Sequence, residues 1–300
     1  MKLLVTGAKG FIGKNLTAQL ENIRDGKCKT SLPDADLEIC PYDMDSDPAL
    51  LDVYCADCDL VFNLAGVNRP ENPDDFMTGN FGFASTLLDT LKKHKNTCPV
   101  MLSSSTQAAL DNPYGKSKKA GEDLFFTYAQ ETGAKVYLYR FPNVFGKWGR
   151  PNYNSAVATF CYNIARDLPI TVNDRAHAMT LVYIDDVVQE LISAAAGKPT
   201  RDGDFCRVPV EHKATLGEIV DLLYTFRESR KTLQIPDLTE CSFSKKLYST
   251  YLSYLPTDGF SYPRTQHTDA HGSFTWFLHT YTHGTFSVHR VKLGNTKGPP

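Results

Sequence analysis

Apolar runs alternate with amphipathic stretches along the first half of the chain, and the alternation predicts strand after helix after strand. The segment Lys2–Thr6 is apolar and of strand length, while from Phe11 to Ile23 apolar residues recur at helical spacing. The same reading gives strands at Leu37–Tyr42, Leu60–Leu64, Val100–Leu102 and Lys135–Arg140. Between them it places helices at Pro48–Tyr54, Phe76–Lys93 and Pro113–Glu131. Strands separated by helical patterns form crossover units, so the expected class is α/β, with a doubly wound parallel sheet covered by helices. After Gly149 the pattern loosens into RPNYNS and a helix at Ala156–Asp167, as where substrate-contacting segments are inserted at the carboxyl ends of strands. Gly, Pro and Asp gather at 197–203 and 255–264, which read as connectors.

Directly after the first strand come Gly7, Gly10 and Gly13. Side chains at Gly7 and Gly10 would hold the turn away from a phosphate, and Gly13 lets the next helix pack closely on the sheet. The helix N-terminus then favours an anion, so a dinucleotide pyrophosphate is the expected ligand.

The strand at Val100–Leu102 runs into Ser103, Ser104 and Ser105, and Tyr114 and Lys118 follow on a helix opened by Pro113. Four residues apart, the phenol and the amine share one helical face. A free tyrosine has a pKa of about 10, too high to exchange protons readily near neutrality. An ammonium within about 5 Å, aided by the positive ring of an oxidised nicotinamide, favours the phenolate by roughly 3 kcal/mol at an effective dielectric of about 20, or about two pKa units. Ser105 is expected to donate to a substrate oxygen. The three side chains, Ser105, Tyr114 and Lys118, are therefore expected to form a proton-transfer group beside a nicotinamide.

Composition narrows the classes without choosing among them. Three hundred residues with 42% hydrophobic content bury a large core, and a net charge of −2 offers no bulk attraction to nucleic acid or an anionic membrane. No long apolar run suggests a spanning helix, and the glycine turn leaves no room before it for a signal peptide, so a cytoplasmic location is expected. The eight cysteines then read as reduced thiols, and Cys55 and Cys58 lack the second half of a zinc site.

With these motifs the chain resembles the extended short-chain dehydrogenases/reductases, Rossmann-type enzymes that include nucleotide-sugar epimerases, dehydratases and reductases. The resemblance covers residues 1–245, with a Rossmann core over about 1–150 and a smaller substrate-binding part after it. It extends to NLAGVNRPE at Asn63–Glu71, Asn80, RFPNVFGKW at Arg140–Trp148 and LVYIDDVV at Leu181–Val188. More narrowly, the strings NRPE, DNPYGKSK, VNDR, TLGEIVDLLY and LYSTYLSYLP resemble the CapF family of capsular polysaccharide enzymes. That resemblance implies NADPH-dependent reduction of the C4 ketone of a UDP-linked amino sugar, toward UDP-N-acetyl-L-fucosamine, and a homodimer.

By the same resemblance the dinucleotide is expected at Gly7, Lys9, Gly10, Phe11, Ile12, Gly13, Asp43, Leu64, Ala65, Gly66, Tyr114, Lys118 and Phe141. An acid after the second strand would bind the ribose of NAD, and a base there would favour NADP. Asp43 and Asp45 stand near that place, although their segment fits a third strand equally well, so NADP(H) follows from the resemblance with NAD as the alternative. Asn68, Arg69, Asn143, Asn154 and Arg175 match substrate positions. Met179 replaces an arginine that many relatives carry, leaving Arg175 or Arg150 to meet the phosphates. Thr106 and Gln107 stand where sugar-nucleotide dehydratases carry an acid, which argues against dehydration. Reduction at C4 remains, with a 4-epimerase that retains NAD and a non-catalytic dinucleotide sensor as alternatives.

After a linker at 246–267, the segment 268–300 alternates apolar and polar residues and resembles the opening strands of a cupin. Too few strands follow to close a barrel, so this end is expected to be disordered, an edge for a partner chain, or incomplete. His267, His271, His279, His283 and His289 are spaced by strands and loops rather than as a compact ligand motif, and no metal is expected there.

Overall fold

The computed structural model describes residues 1–30, 32, 37–72, 75–235, 242–280 and 284–294, in two compact units. One unit comprises 1–155 and 180–213, the other 156–179 and 214–300.

The first unit is built on β1 (Lys2–Thr6), α1 (Phe11–Arg24), β2 (Glu38–Tyr42), α2 (Ala49–Cys55), β3 (Leu60–Asn63), α3 (Phe83–Lys93), β4 (Val100–Ser105), α4 (Pro113–Thr132) and β5 (Val136–Phe141). Then follow β6 (Asn143–Phe145) and, beyond α5 (Ala156–Ile164) of the other unit, β7 (Ala178–Tyr183), α6 (Ile184–Ala195), β8 (Arg201–Asp202) and β9 (Phe205–Cys206). The main sheet has the order β2-β1-β3-β4-β5-β9-β8, parallel from β2 through β9, with β8 antiparallel to β9 at the edge. This is the expected doubly wound architecture. The order reverses about β1, whose neighbours are β2 and β3, and loops diverge at their carboxyl ends to leave a crevice. Because β2 lies directly against β1, the CPYDMD segment is a second strand, and the choice left open by the sequence is decided by pairing.

The core is apolar on both faces of the sheet, as parallel sheets require. Leu3, Leu4, Val5, Val61, Phe62, Val100, Met101 and Leu138 have no solvent exposure. On one face, Leu87, Leu88 and Leu91 of α3 and Phe125 and Tyr128 of α4 pack with Leu4, Val61, Val100 and Leu138. The described cysteines are free thiols, and Cys55 and Cys58 are buried in this cluster.

Several boundaries differ from the sequence pattern by one to three residues, α5 ending at Ile164 rather than Asp167, and two of the differences have a clear physical reason. β4 runs on to Ser105 because Ser103, Ser104 and Ser105 pair in register with Tyr139, Arg140 and Phe141, and the ladder outweighs the poor strand preference of serine. The helix expected from Phe76 winds as a π-helix over Met77–Gly82 before becoming α-helical at Phe83. A wide turn of this kind re-aims one side chain, here Asn80, which it carries into the interior.

The second unit contains α5, α7 (Leu216–Thr232) and α8 (Ser242–Ser253), with β10 (His212–Thr215) leading into α7. Thr215 caps α7: its hydroxyl accepts from Glu218 N at 3.1 Å and Glu218 accepts from Thr215 N at 2.7 Å. Phe226 packs on Tyr248 with ring centres 5.0 Å apart. The terminal segment forms an antiparallel meander of β11 (Gln266–Thr268), β12 (Gly272–His279) and β13 (Thr285–Val291). It is tied to the end of α7 where His279 N donates to Leu233 O at 2.7 Å. The rings of His267 and His289 flank Phe274, and His279 packs on Trp276. His283 lies outside the described residues. Among the described residues no group of three or more His, Cys, Asp or Glu side chains is arranged to hold a metal.

Candidate active site

The glycine turn joins β1 to α1 at the sheet's reversal point. Gly7 has φ +66°, and a Cβ there would stand 2.6 Å from Ala65 N; one on Gly13 would stand 2.1 Å from the Gly7 carbonyl. Both glycines are therefore demanded by the fold itself. For Gly7 this differs from the expected reason, because the chain it must clear is the loop after β3 rather than a phosphate. Gly10 differs: an added Cβ would meet only Gly7 O at 3.1 Å, so the space beside it is open to a ligand.

Asp43 follows β2 and braces the same turn. One carboxylate oxygen accepts from Lys9 N at 2.7 Å and the other from Met44 N at 2.8 Å. The Lys9 ammonium pairs with Asp45.

Ser105 ends β4 and its hydroxyl accepts from Gln107 N at 3.2 Å, starting a tight turn over Thr106–Ala109. Asn112 caps α4 by accepting from Gly115 N at 2.7 Å. Gly115 lets the helix start press on that turn, since a Cβ there would meet the carbonyl of Gln107 at 2.3 Å and that of Leu110 at 2.5 Å. These local constraints bring Tyr114 beside Ser105. The Tyr114 ring also packs on Phe76, with centres 5.6 Å apart.

Lys118 is buried one turn further along, its ammonium 5.8 Å from the Tyr114 ring centre and donating to Ser103 O at 3.1 Å. Asn80, which the sequence pattern did not single out as a site residue, ties the loop after β3 to α4. It accepts from Val67 N at 3.0 Å, donates to Val67 O at 3.1 Å and donates to the Ser117 hydroxyl at 3.0 Å. The signal available in the sequence was its setting between Gly79 and Gly82.

The electrostatics correct one expectation. Burial raises the Tyr114 pKa above its ordinary value, and the hydrogen bond with Ser105 offsets this only in part; Lys118 does not bring it down. Lys118 is itself lowered to about 8 by burial, against which the field of Glu122 acts. Desolvation thus outweighs the charge pairing assumed from the helical spacing.

Of the other expected positions, Leu64, Ala65 and Gly66 line the loop after β3, Phe11 and Ile12 open α1, and Phe141 is buried at the end of β5. Asn68, Arg69 and Asn154 are exposed, and Asn143 donates to Thr180 O at 3.2 Å. Arg150 stacks 5.0 Å over the Tyr153 ring. Arg175 belongs to the other unit, where one Nη donates to both carboxylate oxygens of Asp221 at 2.8 Å.

Comparison with known proteins gives concordant matches. The chain is 42% identical over 298 residues to a Pseudomonas aeruginosa protein named UDP-2-acetamido-2,6-beta-L-arabino-hexul-4-ose reductase, covering 99% of this chain and 77% of that protein. The crystal structure of the capsular polysaccharide assembling protein CapF from Staphylococcus aureus matches with TM-score 0.89 and 47% identity, over 99% of this chain and 78% of that one. A UDP-glucuronic acid 4-epimerase from Bacillus cereus, solved in complex with NAD, shares the fold at 19% identity and TM-score 0.65, over 85% of this chain and 98% of that one. The model of the NAD dependent epimerase/dehydratase family matches residues 3–204. With that match spanning the glycine turn, β4 and α4, the chain belongs to the NAD dependent epimerase/dehydratase family.

Proposed function

We propose that this protein reduces the C4 ketone of a UDP-linked 4-keto-6-deoxy amino sugar, using NADPH, in the making of UDP-N-acetyl-L-fucosamine for a surface polysaccharide. The observation that carries the reading is the grouping of a half-buried phenol, a hydroxyl and a buried ammonium where β4 meets α4. The substrate class draws support from the 42% identity to a reductase of such a sugar.

The residues present fit a dinucleotide. Gly10 leaves open space at the N-terminus of α1, and a Cβ on Gly66 would fall 2.8 Å from Asn80 Oδ1 and 3.0 Å from Lys118 Nζ, so a side chain there would press on the Asn80 tie and on the Lys118 ammonium. The turn from Gly7 to Gly13 would hold the pyrophosphate and Lys118 the ribose hydroxyls beside the nicotinamide. NADPH supplies the hydride when bound. Preference for NADPH rests on the resemblance to the CapF enzymes; Asp43 accepts one backbone N–H on each oxygen and keeps further lone pairs that a ribose could use, so NAD is the alternative.

Tyr114 is protonated at neutral pH, because burial raises its pKa, and gives its proton to the ketone oxygen as the acid of the reaction. Ser105 donates to the same oxygen and stabilises the charge that develops on it. Lys118, lowered to about 8, still carries its proton at neutral pH and so can hold the ribose hydroxyls as a cation. We further infer a cytoplasmic homodimer from the family resemblance; no described helix is long and apolar enough to cross a membrane.

The test is purified protein with NADPH or NADH and a UDP-linked 2-acetamido-2,6-dideoxy-4-ketohexose. Loss of reduced-cofactor absorbance with formation of the 4-hydroxy sugar, faster with NADPH, is expected. Interconversion of 4-hydroxy epimers without net cofactor consumption would replace the reading by a 4-epimerase. No turnover with either cofactor would leave a dinucleotide sensor.

A further inference from the structure

We propose that Glu122 is a positioning residue for this site, its buried carboxylate holding the end of β4 in place and presenting a negative charge one helical turn from the Lys118 ammonium. The inference rests on the reading of Tyr114 and Lys118 given above.

Tyr114, Lys118 and Glu122 follow at intervals of four along α4 and share one face of the helix. Glu122 is 0% exposed, and both its oxygens accept hydrogen bonds. Oε1 accepts from the Ser104 hydroxyl at 2.6 Å and from Arg140 Nε at 2.8 Å, and Oε2 accepts from Arg140 Nη2 at 2.6 Å. The Arg140 guanidinium lies 4.0 Å over the Phe205 ring. Ser104 stands between Ser103, whose carbonyl accepts from Lys118, and Ser105, the hydroxyl of the site. One carboxylate therefore braces the strand segment that meets both functional side chains.

Stability alone does not ask for a buried ion pair here, because well-packed apolar residues of similar volume often serve as well. What they do not supply is a negative charge near Lys118. The groups around that ammonium are the Ser103 carbonyl on β4, the Tyr114 ring on α4, and Asn80 and Gly66 on the segments facing it. All of these are neutral. Glu122 acts on Lys118 in the direction that favours the charged amine against burial, while Arg140 shares the same carboxylate from β5 and tempers that field.

The experiment compares Glu122→Gln, which removes the charge with little change of shape, and Glu122→Asp, which keeps the charge and shortens the reach to Ser104. The titration of Lys118 is read from its ¹³Cε resonance, assigned by its loss in Lys118→Met, with thermal unfolding recorded alongside. In Glu122→Gln the Lys118 titration should fall by about one pH unit, and the alkaline limb of the reduction rate should move with it. In Glu122→Asp the titration should stay near that of the unsubstituted protein, although both variants lose stability. Should Glu122→Gln fail to fold, a Lys118 titration lowered in Glu122→Asp would overturn the proposal, as would one unchanged in a folded Glu122→Gln. A shifted titration in a protein that reduces no sugar would leave the role of Glu122 standing and remove the proposed reaction instead.

Discussion

The Lys118 ammonium sits 5.8 Å from the centre of the Tyr114 ring and donates to the Ser103 carbonyl at 3.1 Å. Its anchoring to the strand, more than its pull on the phenol, defines this pair: burial keeps Tyr114 protonated and brings Lys118 down to about 8. A neutral phenol beside a cation suits proton delivery to a ketone, the direction of a reductase.

Replacing Tyr114 by Phe removes that acid and retains the ring on Phe76. Reduction should fall by about 10²–10⁴-fold, the usual range for loss of a general acid. Dinucleotide affinity, measured by tryptophan fluorescence, should change little; turnover near that of the unsubstituted protein would remove Tyr114 from its role.

Rate and stability should respond to alkali in opposite senses. As pH rises through about 8, Lys118 loses its proton and the rate should decline. In the unfolded chain this lysine titrates near the ordinary 10.5, so between about 8 and that value the unfolded state binds more protons. The penalty of burying the charge is present below about 8 and relieved above it, so the contribution of Lys118 to stability grows with pH across this window. Urea unfolding of the unsubstituted protein and Lys118→Met at a series of pH values checks the sign.

The glycines of the first turn should separate into two kinds. Gly13→Ala forces a Cβ to 2.1 Å from the Gly7 carbonyl and should lower the unfolding midpoint sharply. Gly10→Ala meets one atom at 3.1 Å and should fold while binding NADPH at least tenfold more weakly. Calorimetry with and without NADPH distinguishes the two, and equal stability losses would contradict the division.

Asp43→Ala should weaken NADPH and NADH alike, because it frees the backbone N–H groups of Lys9 and Met44 and loosens the turn that serves both. Titration with each cofactor decides; a gain confined to NADPH would mean that the carboxylate discriminates directly.

The features that could be read from sequence are those whose geometry is set within a few residues. Glycines at intervals of three after an apolar strand announce a turn at a helix start, and a phenol and an amine four apart on a helix face the same way whatever surrounds them. The order of strands and helices likewise follows from local periodicity, so the doubly wound sheet was legible. Asn80, Glu122 and Arg140 were not read as site residues, because each acts through a partner on another element: Asn80 on Val67 and Ser117, and Glu122 on Ser104 and Arg140.

The chain by itself determined which groups the site has and roughly where along each element they fall. Tertiary structure alone decided that the acid after β2 braces the glycine turn, that a π-helical turn carries an asparagine inward, and that Tyr114 is raised rather than lowered. The reason is physical: hydrogen-bond partners and desolvation depend on what the fold brings alongside a group, and neither is set by its neighbours in sequence.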